Sequence, residues 1–156
     1  MIFISVQQED FSHAEEYQKL VSEDLTQGAV VTFTGRVRGT DDLKPNEADI
    51  IALELECYPG MTQKVLNKIA NEAVQRWAVE SVTIIHRIGK LNSGEQIVFV
   101  GVTSSHRKAA FEACEFLIDI LKTEAPFWKK EFSNTSENWV DAKQSDSLQS
   151  NQWLEK

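Results

Sequence analysis

The sequence predicts one domain of the mixed α/β class, and three observations indicate this class. Segments in which apolar and polar residues alternate, as in half-buried strands, are separated by longer segments whose apolar residues recur at helical spacing. A chain of 156 residues is long enough to bury one hydrophobic core. Its 7 glycines, 3 prolines and 42% hydrophobic residues exclude a fibrous or largely disordered protein.

The first half of the chain predicts three strands and two helices. In order, they are a strand at 1–6, a helix from the cap residue Ser12 to about Asp24, strands at 29–38 and 50–57, and a helix from about Pro59 whose buried stripe ends at Val74 and Trp77. Alternation in the 50–57 strand turns Ile51, Cys57 and the odd-numbered residues between them inward. The polar segment 39–48 predicts a mobile surface loop.

The second half predicts a hairpin, a long helix and a loosely held tail. Strands at 81–88 and 96–104 are joined through the turn sequence LNSGE, and the second strand is apolar on both faces, so it belongs in the middle of a sheet. Ser104-Ser105 is expected to cap a helix over 106–122. The remaining predictions are a last element near Asn138–Ala142 and a loosely held tail over 145–156, which Trp153 could dock.

The charge pattern excludes one class of partner and indicates another. A formal net charge of −8 argues against a nucleic-acid-binding domain, because affinity for nucleic acid comes mainly from Lys and Arg on phosphates. Residues 58–130 nevertheless carry 10 basic and 7 acidic side chains, whereas residues 1–57 carry 4 and 12. A cationic pocket for a small phosphorylated ligand is therefore predicted in the middle of the chain.

Other protein classes are excluded by features that the chain lacks. No apolar run approaches the roughly 20 residues of a membrane span, and residues 1–10 lack the basic start of a signal peptide, so we expect a cytoplasmic protein without membrane contact. Cys57 and Cys114 match no metal or redox spacing and are expected to be buried, reduced thiols. His13 and His86 have no partners at ligand spacing, so no metal site is predicted.

Two pairs of cations are candidates for binding an anion. His106 and Arg107 open the long helix, and the free N–H groups of a helix N-terminus attract phosphate. Arg36 and Arg38 share the polar face of a strand, and a guanidinium binds phosphate through two parallel hydrogen bonds. The alternatives are that Arg107 faces solvent and that the two strand arginines pair with acidic residues of the next strand.

A lysine cluster is the candidate catalytic group. Lys122 lies at the end of the long helix, and Lys129 and Lys130 follow the sequence Pro126-Phe127-Trp128. A lysine in a partly apolar, cationic pocket has a lowered pKa and can act as acid, base or nucleophile near neutral pH. The alternative is that Lys122 only complements the negative end of the helix dipole and that the other two lysines are solvated.

Four motifs resemble the large, catalytic subunit of molybdopterin synthase. They are VVTFTGRVRG at 30–39, LECYPGM at 55–61, IIHRIGKLNSGEQIVFVGVTSSHRKAAFEA at 84–113 and LKTEAPFWKKE at 121–131. They occur in the family's order, and the likeness extends over roughly residues 28–143. The resemblance implies a single domain over 1–156 with an α/β (α+β) fold of the α/β hammerhead type, in which helices pack on a largely antiparallel sheet.

The resemblance also implies a reaction. In that family a small ubiquitin-like subunit carries sulfur as a thiocarboxylate on its Gly-Gly C-terminus. The large subunit transfers two sulfurs to cyclic pyranopterin monophosphate, which forms the dithiolene of molybdopterin. The expected assembly is a homodimer of large subunits within a heterotetramer, and no metal or organic cofactor is required. The alternative function is a non-catalytic module that binds a phosphorylated small molecule or a ubiquitin-like tail.

Site residues follow from their positions in the family's motifs. Lys122 and Lys129 correspond to the two catalytic lysines of the pocket. The expected substrate-binding residues are Arg36, Val37, Arg38, His106, Arg107, Lys130, Glu131 and Lys143. Among them, Glu131 is expected to orient lysines. Lys143, where the family pattern has Arg, is expected to reach the pocket of the neighbouring chain.

Overall fold

The computed structural model describes residues 1–21, 25–40, 49–141 and 144–154, which form eight strands and four helices. The strands are β1 (Ile2–Gln7), β2 (Ala29–Arg36), β3 (Ile50–Cys57), β4 (Val79–Arg87), β5 (Gly89–Asn92), β6 (Gln96–Ser104), β7 (Phe127–Ser133) and β8 (Glu137–Val140). The helices are α1 (His13–Leu20), α2 (Pro59–Arg76), α3 (Arg107–Glu124) and α4 (Gln144–Asn151). The mixed α/β class predicted from the sequence is confirmed.

The strands form two four-stranded sheets. The first sheet has the order β1-β4-β6-β2, with β1 parallel to β4 and the other two pairs antiparallel. The second sheet has the order β5-β3-β7-β8 and is antiparallel throughout. The largely antiparallel arrangement is therefore confirmed. The interior position of β6 agrees with its apolar sequence.

The main core lies between the first sheet and the helices α2 and α3. The apolar face that helical spacing predicts for α3 is buried there. In a smaller cluster, Val37 packs with Leu55 of β3 and Leu91 of β5, two strands of the second sheet. Ile97 of β6 contacts both clusters, so β6 links the two sheets through apolar contacts.

β2 ends at Arg36, two residues earlier than predicted. Beyond it, the Val37 amide donates to the Glu95 carbonyl (2.9 Å), and the Val37 carbonyl accepts from the Gly94 amide (2.8 Å). The backbone therefore pairs with the β5–β6 turn instead of continuing along β6. Arg38 lies outside the strand as a result.

The predicted cap of α3 is wrong. Ser12 caps α1 as predicted, but the cap residue of α3 is His106, whose side chain makes no capping hydrogen bond. Ser104 is the last residue of β6, and its hydroxyl donates to the Ala78 carbonyl (2.6 Å). This serine ties β6 to the segment before β4.

Two residues expected on buried faces are exposed. Ile51 is 46% exposed, because a register irregularity between Ile50 and Ala52 reverses the alternation and buries Ala52 instead. Val74 lies on the outer side of α2, whereas Ala70 and Ala73 face the core.

The predicted hairpin is interrupted by a further strand. β4 and β6 pair antiparallel as expected, but β5 lies between them in sequence and pairs with β3 in the second sheet. The segment after Pro126 forms β7, a strand that the sequence did not predict, and the last predicted element corresponds to β8. The candidate lysines of this segment are therefore fixed on a sheet.

The prediction of a loosely held tail does not describe residues 144–154. This segment forms α4 and then buries Trp153, which is 3% exposed. The indole Nε1 of Trp153 donates to Asp119 Oδ2 (2.9 Å), and its ring contacts Trp77 and Phe116 edge-on. Arg76 Nη1 donates to the Trp153 carbonyl (2.7 Å). The tail is thus held against α2 and α3.

Candidate functional site

The two lysines predicted to be catalytic flank the turn between α3 and β7. Lys122 is in the last turn of the helix, where a cation complements the negative end of the helix dipole. The helix ends at Glu124, and Lys129 is the third residue of β7. Both side chains are exposed. A short connection therefore places two accessible cations around one turn of the chain.

The neighbouring Lys130 does not join them. Successive side chains of a strand point to opposite faces, so Lys129 shares a face with Phe127, whereas Lys130 points the other way. Lys130 Nζ pairs with Glu137 Oε2 at 2.8 Å and lies over the Trp139 ring, 5.8 Å from its centroid. The hydrogen bond to Glu137 raises the pKa of Lys130 above its usual value. The expected cluster of three lysines is divided between two faces.

A buried histidine shares the environment of Lys129, and the sequence analysis did not select it. His86 is 4% exposed, and its ring stacks on Phe127 with 3.8 Å between centroids and 17° between planes. Its Nδ1 lies 2.8 Å from the Arg87 carbonyl oxygen, so that nitrogen carries the proton. The pKa of His86 is lowered from 6.5 to about 4, mainly by burial; the Arg87 hydrogen bond opposes this shift, and the charge of Lys129 adds to it. The ring is therefore neutral at pH 7. The signal available in the sequence was a histidine inside the apolar run of β4.

The three predicted residues around the end of β2 have different surroundings. Arg36 donates from Nε (2.9 Å) and Nη2 (2.7 Å) to the Gly94 carbonyl, which fastens the β5–β6 turn. Val37 is buried, and its side chain packs beside Leu55 in the smaller core cluster. Arg38 is exposed beyond the strand. The roles of Arg36, Val37 and Arg38 in substrate binding stay predictions.

His106 and Arg107 lie at the opposite end of α3 from Lys122. Both residues are exposed at the start of the helix. An α-helix rises about 1.5 Å per residue, so Arg107 and Lys122 are about 22 Å apart along the axis. Within one chain, the helix therefore separates the predicted anion-binding cations from the predicted catalytic lysine by more than the length of a small substrate.

Glu131 and Lys143 are the two remaining predicted residues. Glu131 is half-buried on β7 and, two residues after Lys129, projects from the same face. This position is compatible with orienting that lysine, which stays a prediction. Lys143 lies outside the described residues.

An acidic residue that the sequence analysis did not select lies against Lys122. Asp146 belongs to the first turn of α4, and its Oδ1 is 3.8 Å from Lys122 Nζ. The side chains are 20% and 44% exposed, respectively. No local signal could have identified this pair, because it depends on how α4 docks on α3.

The two cysteines differ in burial. Cys114 is buried in α3 as expected, and burial raises the pKa of its thiol from 9.0 to about 12. Cys57 is only half-buried, which corrects the expectation of two buried thiols. It lines a shallow cavity of about 350 Å³ together with Glu56, Tyr58, Trp128 and Trp139. Among the described residues, no three His, Cys, Asp or Glu side chains are grouped as a metal site would require.

The chain is similar to proteins of one family over nearly its whole length. A family profile described as "MoaE protein" matches residues 6–124. The molybdopterin synthase catalytic subunit of Vibrio cholerae is 50% identical over 150 residues, which covers 96% of this chain and 97% of the relative. The protein of the same description from Escherichia coli is 51% identical over 151 residues, with the same coverage.

Solved structures extend the comparison to the fold. The molybdopterin biosynthesis MoaE protein from Burkholderia ambifaria superposes with a TM-score of 0.81, at 45% identity and with 99% of each chain covered. A molybdopterin synthase from Staphylococcus aureus gives a TM-score of 0.78 at 33% identity, covering 88% of this chain and 96% of that one. Within the described residues, no helix is long and apolar enough to span a membrane.

Proposed function

The chain belongs to the MoaE protein family, and we propose that it is the catalytic subunit of a molybdopterin synthase. It transfers sulfur from the thiocarboxylated C-terminus of a small ubiquitin-like subunit to cyclic pyranopterin monophosphate. The observation that carries the proposal is the pair of exposed lysines, Lys122 and Lys129, on either side of the turn from α3 to β7. The resemblance of the surrounding sequence to the family's motifs supports a catalytic role for both lysines.

The partner supplies the sulfur nucleophile in this proposal. The thiocarboxylate sulfur forms a carbon–sulfur bond with a carbon of the pterin side chain, and the carbon–oxygen bond at that carbon breaks as the oxygen leaves with a proton. Water then cleaves the bond between the sulfur and the carrier's acyl carbon, which leaves the sulfur on the pterin. The carrier leaves with a carboxylate, and a second carrier repeats the step to complete the dithiolene. Cys114 is unsuited to replace this nucleophile, because the raised pKa of its buried thiol keeps it protonated.

The lysines of this chain exchange protons and neutralise charge. Lys122 and Lys129 carry mobile protons that can be given to the leaving oxygen or taken from the developing enol. Arg38 is accessible to the substrate phosphate and can donate to two of its oxygens at once. Glu131, on the face of Lys129, orients that lysine.

A second copy of the chain completes the pocket. His106 and Arg107 are about 22 Å from Lys122 along α3, so a substrate of the size of a pterin phosphate cannot contact both groups of one chain. In a symmetric dimer the start of α3 of one copy can lie beside the end of α3 of the other. The proposed assembly is therefore a homodimer with one small subunit at each of two pockets, and Lys143 contributes across the same interface.

A cytoplasmic location is part of the proposal. Cys57 and Cys114 are both free thiols, which the reducing cytosol preserves. The chemistry is proposed to need no metal or organic cofactor, since the thiocarboxylate provides the nucleophile and the lysines provide the acid and base.

The decisive experiment is an assay of sulfur transfer with Lys122→Ala. The purified chain, a thiocarboxylated small subunit and cyclic pyranopterin monophosphate are combined, and formation of molybdopterin is measured. We expect Lys122→Ala to lower the rate by about 10²–10⁴-fold, the usual contribution of a positioned acid or base. Lys64→Ala, which removes an exposed lysine of α2, is the matched control and should leave the rate unchanged. If the wild-type chain binds the partner and the pterin without consuming either, the chain is a binding module and the proposal is wrong.

A further inference from the structure

We infer that Asp146 is a positioning residue for Lys122, held in place by the docking of α4 on α3. The ion pair spans 3.8 Å between Asp146 Oδ1 and Lys122 Nζ. This inference rests on the proposed function, since it assigns a partner to the lysine that the reaction uses. It assigns a role to α4, an element that no family motif of the sequence covers.

The residues that directly follow α4 hold it against α3. Trp153 is buried, and its indole Nε1 donates to Asp119 Oδ2 at 2.9 Å. Gln152 Nε2 donates to the same carboxylate oxygen at 3.1 Å. Asp119 precedes Lys122 by three residues on α3, so the two residues lie on the same side of the helix. The C-terminal segment therefore contacts one side of α3 at two points, Asp119 and Lys122.

The geometry suits positioning and leaves the lysine accessible. A lysine side chain has a flexible four-carbon stem, and its ammonium carries three N–H donors. One direction is occupied by Asp146, which restricts the stem, while the 44% exposure of Lys122 leaves the remaining donors open to a ligand. Asp146 is itself only 20% exposed, so it is held more firmly than a surface carboxylate.

The pair contributes little to folding, which makes its functional role measurable. Ion pairs that are open to solvent stabilise proteins only slightly, so Asp146→Asn should shift the thermal midpoint by about 3 °C or less. Misplacement of a reacting group by about 1 Å can cost up to ~100-fold in rate. We expect Asp146→Asn to lower kcat for sulfur transfer by about tenfold with KM changed less than about twofold. Asp146→Glu should recover at least half of the lost rate.

The matched control is Glu124→Gln. Glu124 lies two residues after Lys122 and pairs with Lys68 at 3.6 Å, so its substitution removes one negative charge near the site without removing a contact to Lys122. Glu124→Gln should keep the wild-type kcat. An unchanged kcat in Asp146→Asn, an equal loss in Glu124→Gln, or no recovery in Asp146→Glu would overturn the inference. A wild-type chain that transfers no sulfur would instead overturn the proposed function, and the Asp146 variants are compared only against an active wild type.

Discussion

The two ends of α3 carry cations of similar type in very different surroundings. At the start of the helix, His106 and Arg107 are exposed, and the cap side chain makes no hydrogen bond to the helix. At the end, Lys122 has Asp146 of α4 against it, and the chain turns directly into the strand that carries Lys129. Within the described residues, the start of α3, called here the open end, has no such neighbours beside these two cations, whereas the end of α3, called here the closed end, is flanked by α4 and β7.

The difference between the two ends is explained by the helix dipole. A cation at a helix N-terminus is unfavourable next to the positive end of the dipole, unless an anion compensates both. A cation at the C-terminus is favourable without a ligand. This is why the open end of α3 is the proposed phosphate-binding side, whereas the helix dipole alone stabilises the lysine at the closed end. Because the two ends are about 22 Å apart along the helix in one chain, the proposed site combines the open end of one chain with the closed end of another.

The strongest test of this comparison is complementation between two variants. Lys122→Ala removes the closed end's cation, and a His106→Ala/Arg107→Ala chain removes those of the open end. Each variant alone should lose about 10²-fold or more of its sulfur-transfer rate at low substrate concentration. Mixed in equal amounts with subunit exchange, they should regain about a quarter of wild-type activity, because half of the dimers then contain one intact pocket of two.

Native mass spectrometry provides the control for complementation, since it shows whether mixed dimers have formed. Mixed dimers that stay as inactive as the separate variants would contradict a pocket shared between chains. That result would mean that the lysine and the anion-binding residues of each site belong to one chain.

A second prediction concerns the docking of α4 at the closed end of α3. Trp153→Ala should lower the free energy of unfolding by about 3–5 kcal/mol, because it empties a buried aromatic site. It also leaves Asp119 without the indole donor. The measurement is denaturant unfolding followed by far-UV circular dichroism, because the substitution itself changes the tryptophan fluorescence. Leu148→Ala, which removes an exposed apolar side chain from the same segment, should leave stability unchanged. Equal stability of the two variants would mean that α4 is not docked.

A third prediction concerns His86, the buried neighbour of Lys129 at the closed end. The pKa of His86 is about 4 in the folded protein and about 6.5 when unfolded, so between these values the unfolded chain binds more protons. Stability should therefore fall as pH is lowered from about 6.5 to about 4, and His86 should account for about 2–3 kcal/mol of that loss.

The measurement is the pH dependence of denaturant unfolding in His86→Gln. This variant should lose about 2–3 kcal/mol less than wild type between pH 7 and pH 4. His13→Gln, which removes an exposed histidine of α1, is the matched control for the loss of an imidazole. A His86→Gln profile parallel to that of wild type would show that the ring is not held neutral by burial.

The sequence analysis was most accurate for features that depend on local periodicity. Both long helices, the N-cap at Ser12 and the interior position of β6 follow from spacing within one segment. What it predicted wrongly or not at all depends on pairing between distant segments. β5 and β7 become strands because they pair with β3, and the tail is ordered because a pocket of α2 and α3 residues accepts Trp153.

The same distinction between local spacing and distant packing applies to the candidate site. Lys122 and Lys129 were predictable, since they belong to contiguous motifs around one turn. Their neighbours Asp146 and His86 were not, because each reaches its lysine from another element through tertiary packing. The expected grouping of Lys130 with Lys129 failed for a simpler reason. The segment after Pro126 is a strand, and adjacent residues of a strand point to opposite faces.

The last prediction compares those two adjacent lysines at the closed end. Lys129→Ala should lower sulfur transfer by about 10²–10⁴-fold, because this lysine lies on the face that Phe127 and the buried His86 share. Lys130→Ala should lower the rate by less than about threefold, because Lys130 points to the other face and only a solvent-open pair with Glu137 is lost. Steady-state rates of the two variants, with far-UV circular dichroism to establish folding, decide the matter. If Lys130→Ala loses as much activity as Lys129→Ala while remaining folded, both faces of β7 contact the substrate, and the site extends to the side that carries Trp128 and Trp139.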